Sequence, residues 1–266
     1  MQDLRGKDRL IVALDVDSVK LASDLVDELT NVHFFKIGWR LLMAGLRAKT
    51  LGDFWDSLAR NHKELFIDLK LPDIGNTVAD VVKDLREDEH VHFLTLHENM
   101  ALSDIALARK ARGESKTPKL LTVPFVSSMD ESDYQQVAAA AAASGVTLNQ
   151  WILTKARLAL DAGCDGIIAS GDAIRLCRAE WAKSTGVLIV SPGIRPAGAA
   201  TNDHKRFTTP SEAIRLGADY LVVGRPILGA PNRIKAAQEI IDEIEDASDP
   251  ETQTHLASEP RHVAAH

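Results

Sequence analysis

Asp15, Lys36, Asp68, Lys70 and Asp73 are the residues whose types and spacing point to chemistry. Three of them share one segment, Phe66-Ile-Asp-Leu-Lys-Leu-Pro-Asp73, which reads as the end of a β-strand. Side chains on a strand alternate between faces, so Leu65, Ile67 and Leu69 share one face and Phe66, Asp68 and Lys70 the other. The aliphatic face seeks cover, which sends Asp68 and Lys70 inward together. Inward charges are costly unless they are paired, so pairing for solubility alone is the weaker explanation. Lys36, in the apolar run 33–37, can supply the compensating charge and give an alternating array of ammonium and carboxylate groups. A single inward lysine would suit Schiff-base chemistry, which needs a depressed pKa. Flanking carboxylates do the opposite and hold the ammonium protonated, so Lys70 is suited to giving a proton to a developing carbanion. A metal centre is not expected. His33 has no acid two residues on, and the inward neighbour of Asp68 is Phe66 rather than a histidine.

A second group lies near the C-terminal end. Ser191-Pro-Gly-Ile-Arg-Pro196 runs into a polar loop through Asn202-Asp-His-Lys-Arg206, and Gly224-Arg-Pro-Ile227 follows another apolar run. Pro226 suits a first helical turn, whose N–H groups and dipole favour an anion. Gly224 permits close backbone approach and Arg225 adds a forked donor. The composition of the 191–206 loop fits a closing flap or a plain surface loop nearly equally, and its placement next to Arg225 favours the flap.

Positioning these residues requires a scaffold with many strand ends on one side. Apolar, β-branched-rich runs recur at 10–14, 33–37, 64–69, 92–96, 119–125, 166–169, 187–190 and 219–223, with helix-like segments between them. The clearest helix is 18–30, where Val19, Leu21, Ala22, Leu25, Val26 and Leu29 form one stripe. Several strands are apolar throughout, as parallel strands covered on both faces are. Eight such units, with no G-x-G-x-x-G after the first strand, predict a single (β/α)8 TIM barrel over residues 1–248. Residues 126–165, with the alanine run at 138–143, read as an elaborated fifth connection. Residues 249–266 read as a polar, mobile tail.

The composition bounds the class. The chain has 266 residues, of which 45% are hydrophobic and 26% charged, which is ordinary globular usage. A net charge of −7 argues against coating nucleic acid. The longest apolar run, Val137 to Ala143, is far short of the roughly 20 residues of a membrane helix. Cys164 and Cys177 form neither a zinc pattern nor a disulfide framework. With a charged N-terminus that lacks an apolar core behind it, these features predict a soluble, cytoplasmic protein. The four tryptophans read as packing residues of outer helices, and the acidic segment 236–248 as a solvated face. His97, just past the fourth strand, is read equally as a site-lining or a structural residue. His62 and His90 lie in polar segments and are read as solvated.

The set ALDVD, FKIG, DLKLPDIGNT, SPGIRP and VVGRPI, in this order, resembles the orotidine 5′-phosphate decarboxylase family over residues 9 to 230. Its D-x-K-x-x-D core is shared with sugar-phosphate decarboxylases and aldolases of the same superfamily. The resemblance implies decarboxylation of orotidine 5′-phosphate to uridine 5′-phosphate, the last step of UMP synthesis, with no metal or organic cofactor. It implies that Asp15 and Lys36 contact the ribose hydroxyls, that Asp68 faces the substrate carboxylate, and that Lys70 protonates C6. Asp73 and Thr77 would reach into a partner's site across a homodimer. Ser127 would bind the pyrimidine edge, and Arg195, Gly224 and Arg225 the phosphate. The flap departs from the family pattern, with His204 where many members carry glutamine. Neutral histidine still donates one hydrogen bond and its protonated form can pair with phosphate. Two alternatives stay open from the residues alone: a Mg²⁺-dependent sugar-phosphate enzyme, and a non-catalytic nucleotide-binding barrel.

Overall fold

The computed structural model describes residues 4–125, 129–196 and 208–249. Eight parallel strands close into a barrel in chain order: β1 (Leu10–Ala13), β2 (Phe34–Ile37), β3 (Glu64–Leu71), β4 (Val91–Leu96), β5 (Lys119–Thr122), β6 (Gly166–Ile168), β7 (Leu188–Ser191) and β8 (Tyr220–Val223). Each lies within a few residues of an apolar run in the sequence. The two burial patterns of a barrel strand explain why. Ile11, Ala13, Phe34, Phe66, Phe93, Leu121, Val190 and Val222 pack inside the barrel. The alternate residues, among them Leu10, Val12, Leu65, Ile67, Leu94 and Leu221, pack outward under the helices. Leu65 and Ile67 therefore face out and Phe66 faces in, as period two predicts. Phe34, Phe66, Phe93 and Tyr220 fill the barrel interior, with ring centroids 5.0 to 6.0 Å apart.

The helix predicted at 18–30 spans Val19–Glu28 and is capped by the Ser18 hydroxyl, which accepts from the Leu21 N–H. The fifth connection holds three helices, Glu131–Val137, Ala139–Ala143 and Leu148–Asp161. Two of the expectations need correction. The C-terminal helix Arg233–Ser248 is not simply a solvated face: Ala237, Ile240, Ile241, Ile244 and Ala247 recur at helical spacing and are buried. Trp39 is not a packing residue. It is half exposed at the start of the helix Trp39–Ala48, and its indole N–H donates to the Leu69 carbonyl at 2.9 Å. Trp55, Trp151 and Trp181 do pack partly buried against the outer core.

The N-terminal side of the barrel is tied by two equivalent clamps. Asp165, just before β6, accepts from the Leu120 N–H of β5 and pairs with Arg112. Asp219, just before β8, accepts from the Ile189 N–H of β7 and pairs with Arg178. No described helix is long and apolar enough to cross a membrane. Of the tail from Asp249, only Asp249 itself lies among the described residues.

Candidate active site

The strand ends on the C-terminal side surround a cavity of about 430 Å³. Its lining includes Asp15, Lys36, Asp68, Lys70, Arg195, Gly224 and Arg225. These seven were singled out from sequence, and the barrel brings them to one place because they lie at or just past the ends of five strands, β1, β2, β3, β7 and β8. Ala13, Phe66, Val123, Ile168 and Val222 supply the apolar part of the wall.

The charges form a connected chain. The Lys36 ammonium donates to Asp15 at 3.0 Å and lies 3.4 Å from Asp68. The Lys70 ammonium donates to the other Asp68 oxygen, Oδ1, at 2.7 Å. Exposure rises along this chain: the Lys36 side chain is 9% exposed, Asp68 17% and Lys70 35%. Lys36 and Asp68 are thus the sequestered part of the chain, and Lys70 is its more exposed end at the cavity. Burial alone would push the Asp68 carboxyl up. The two ammonium groups, with hydrogen bonds from Lys70 and Thr95, outweigh burial and hold it below its ordinary value.

Lys70 sits at φ +46°, in the left-handed region that side chains avoid. Among the described residues, the other non-glycine cases, Lys49 and His62, lie just past helix ends, so Lys70 alone has this conformation inside a strand. Such a backbone persists only where its surroundings impose it, and such residues cluster at functional sites.

Two arginines, Arg195 and Arg225, give the cavity a further cationic part. Arg195 is buried; its N–H donates to the Thr208 carbonyl at 3.0 Å, and its guanidinium donates to the Ile194 carbonyl at 2.9 Å. Ile194 and Thr208 pair as an isolated bridge, so the two ends of the segment between them are held together. Gly224 precedes the short helix Arg225–Leu228, with Pro226 in its first turn. A Cβ on Gly224 would meet only Ala13, at 3.5 Å, an ordinary contact. The missing side chain leaves room at the cavity wall.

Asp73 and Thr77 are not brought to this cavity. Both are exposed, and an Asp73 oxygen accepts from the Ile74 N–H at 2.7 Å. Ser127 and His204 lie outside the described residues. His97 does not line the cavity; its Nδ1 accepts from the Asn99 N–H at 3.2 Å, a structural role.

Sequence reasoning missed Arg40 and Thr95. Arg40 lines the cavity and donates to the Asp15 carbonyl at 3.2 Å and to Asp17 at 2.9 Å. Thr95 is fully buried and donates to Asp68 at 3.0 Å. Period two on β4 places Thr95 on the inward face with Phe93, which was the signal available for it.

The orotidine 5′-phosphate decarboxylase / HUMPS family model matches residues 8–240. The chain belongs to this family. It is similar to proteins named orotidine 5′-phosphate decarboxylase from Rhodopseudomonas palustris (strain BisB5) and Methylobacterium sp. (strain 4-46). Each is 41% identical over 92% of this chain, covering 98% and 99% of the relatives respectively. A solved structure of the Lactobacillus acidophilus orotidine 5′-phosphate decarboxylase superposes with a TM-score of 0.70 at 28% identity. That match covers 88% of this chain and 98% of the other. Family membership agrees with the resemblance read from the motifs, and the closed barrel is the predicted architecture.

Proposed function

We propose that this chain decarboxylates orotidine 5′-phosphate to uridine 5′-phosphate and CO₂ without a metal, as a homodimer in the cytoplasm. The observation that carries the reading is one cavity lined both by the Lys36–Asp68–Lys70 chain and by Arg195 and Arg225. The two arginines suit a dianionic phosphate, and the reactive ring then lies against the charged chain. Asp15 and Lys36 hold the ribose hydroxyls, while Gly224 lets the backbone approach the phosphate. Ser127 takes the pyrimidine edge, and His204 contacts the phosphate.

Binding energy from the remote phosphate goes into assembling the closed site. Asp68 faces the substrate carboxylate, so its negative charge disfavours the bound ground state and is relieved as CO₂ leaves. The C6–carboxylate bond breaks, the electron pair stays on C6, and the Lys70 ammonium delivers a proton there. The carboxylates near the reacting centre are already neutralised by lysines, a donor set that suits proton transfer better than metal binding.

Asp73 and Thr77 act in the site of a second copy. Their exposure outside their own cavity supports this. So do two exposed apolar residues at this strand end, Ile74 next to Asp73 and Trp39 bonded to the Leu69 carbonyl. A cytoplasmic location is supported by Cys164 and Cys177, which are free, buried thiols.

The test is the ultraviolet absorbance of orotidine 5′-phosphate with the purified protein, with and without EDTA. Loss of the substrate band in both samples is the expected result. No change with folded protein at high concentration overturns the reading. Loss that EDTA abolishes removes the metal-free step and points toward the sugar-phosphate relatives.

A further inference from the structure

The two strands that carry the reactive chain do not advance in step. Ile67 pairs with Leu94 and Leu71 with Leu96, so β3 carries two extra residues opposite the end of β4. The extra residues fall over Asp68, Leu69 and Lys70, and Lys70 takes its left-handed backbone there. A bulge of this kind takes backbone groups out of the strand ladder, and each buried group must find another partner.

The Lys70 N–H finds the Thr95 hydroxyl, at 2.9 Å. The same hydroxyl donates to Asp68 Oδ1 at 3.0 Å, the oxygen that also accepts from the Lys70 ammonium at 2.7 Å. A backbone N–H can only donate and an ionised carboxylate can only accept, so the direction of both Thr95 bonds is fixed. The hydroxyl closes a small ring that includes the backbone of Lys70, its ammonium and the Asp68 carboxylate. Thr95 is fully buried and does not line the cavity.

We infer that Thr95 is a positioning residue for the proton transfer, holding Lys70 in its left-handed conformation and aiming the Asp68–Lys70 pair. This rests on the decarboxylase reading above. Because Thr95 reaches neither the phosphate nor the ribose side, its loss acts on turnover and not on substrate binding. An error of about 1 Å in the placement of a reacting group can cost on the order of a hundredfold in rate.

The variant Thr95→Val keeps the β-branched shape and removes only the hydroxyl. Its kcat is expected to fall by roughly 30- to 100-fold, with KM and the affinity for uridine 5′-phosphate within about threefold of wild type. Thr95→Ser, which keeps the hydroxyl, is expected to recover kcat to within about threefold. Adding Thr95→Val to Lys70→Ala is expected to cost little more than Lys70→Ala alone, because the effect runs through Lys70. A Thr95→Val enzyme with kcat within threefold of wild type overturns the inference. So does a serine variant that fails to rescue, or a defect that tracks lost thermal stability. If the valine variant does not fold, Thr95→Ala carries the same comparison.

A crystal structure of Thr95→Val separates this inference from the functional reading, since it needs no turnover. Lys70 is expected to leave its left-handed conformation or its ammonium to part from Asp68. Unchanged geometry overturns the positioning role whatever the substrate. Failure of wild type on orotidine 5′-phosphate, with the geometry altered in the variant, overturns only the decarboxylase reading.

Discussion

The sharpest expectations concern Asp68 and Lys70, because each depends on the other. Removing Lys70 takes away the proposed proton donor and leaves Asp68 with only Lys36 to neutralise it; removing Asp68 frees the ammonium from its fixed direction. Lys70→Ala and Asp68→Ala are each expected to lose about a thousandfold in turnover while the fold survives. More than a tenth of wild-type activity in either variant would show that the roles are misassigned. His204→Gln is expected to stay within about tenfold, since either side chain donates a hydrogen bond to phosphate. A much larger loss would give the imidazole a role of its own. The pH behaviour of Asp68 follows from its depressed pKa. Its ionised form stabilises the fold fully above the ordinary aspartate value near 4, and this contribution is lost as pH falls through the lower folded value. Acid unfolding of Asp68→Asn should therefore lose part of its pH dependence below about 4, and superimposable acid curves would contradict this.

At the scale of elements, the C-terminal side of the barrel carries strain and the N-terminal side carries stability. The left-handed Lys70 costs about 1–2 kcal/mol relative to ordinary backbone, and the Thr95 hydroxyl is what the bulge offers against it. The clamps at Asp165 and Asp219 do the opposite work. Each carboxylate satisfies a strand N–H and an arginine at once, so truncation leaves a buried guanidinium with backbone carbonyls but no counter-charge. Asp165→Ala and Asp219→Ala are each expected to destabilise the protein by about 3–5 kcal/mol in urea unfolding. The kcat of the surviving fraction should be nearly unchanged, because both clamps lie at the far end of the barrel from the site. The cysteines belong to the same packed layer. Burial pushes both thiols up to about 12, so they should resist alkylation in the native state.

At the scale of the whole molecule, the question is whether one chain completes a site. Within a subunit the chain of charges begins at Asp15 and ends at Lys70, and Asp73 points elsewhere. If Asp73 works in a partner's site, a Lys70→Ala subunit and an Asp73→Ala subunit complement each other. Mixing the two inactive homodimers should then restore about a quarter of wild-type activity, since half the dimers are hybrids with one intact site. No recovery after subunit exchange, or a monomer by sedimentation, would place Asp73 outside the mechanism.

Much of this was written along the chain. The periods of the apolar runs located all eight strands, because a barrel strand must satisfy a core on each face and has little freedom in composition. The same alternation put Asp68 and Lys70 on the inward face before any coordinates. Other features had no local signature. Trp39 follows a strand directly, yet only the position of Leu69 explains its exposed, hydrogen-bonded indole. The helix Arg233–Ser248 buries an isoleucine stripe among its acids because the barrel closes against it. Thr95 reads as one polar residue in an apolar strand until the register of β3 against β4 is known. Sequence by itself determined which residues are charged, which strand each ends, and which way each side chain faces, since these follow from local periodicity. Tertiary structure decided which charges meet, that Lys36 is shared between Asp15 and Asp68, and that a threonine on the next strand holds Lys70. Those depend on distances set by barrel closure and by a two-residue slip between neighbouring strands, and neither is a property of any short stretch of chain.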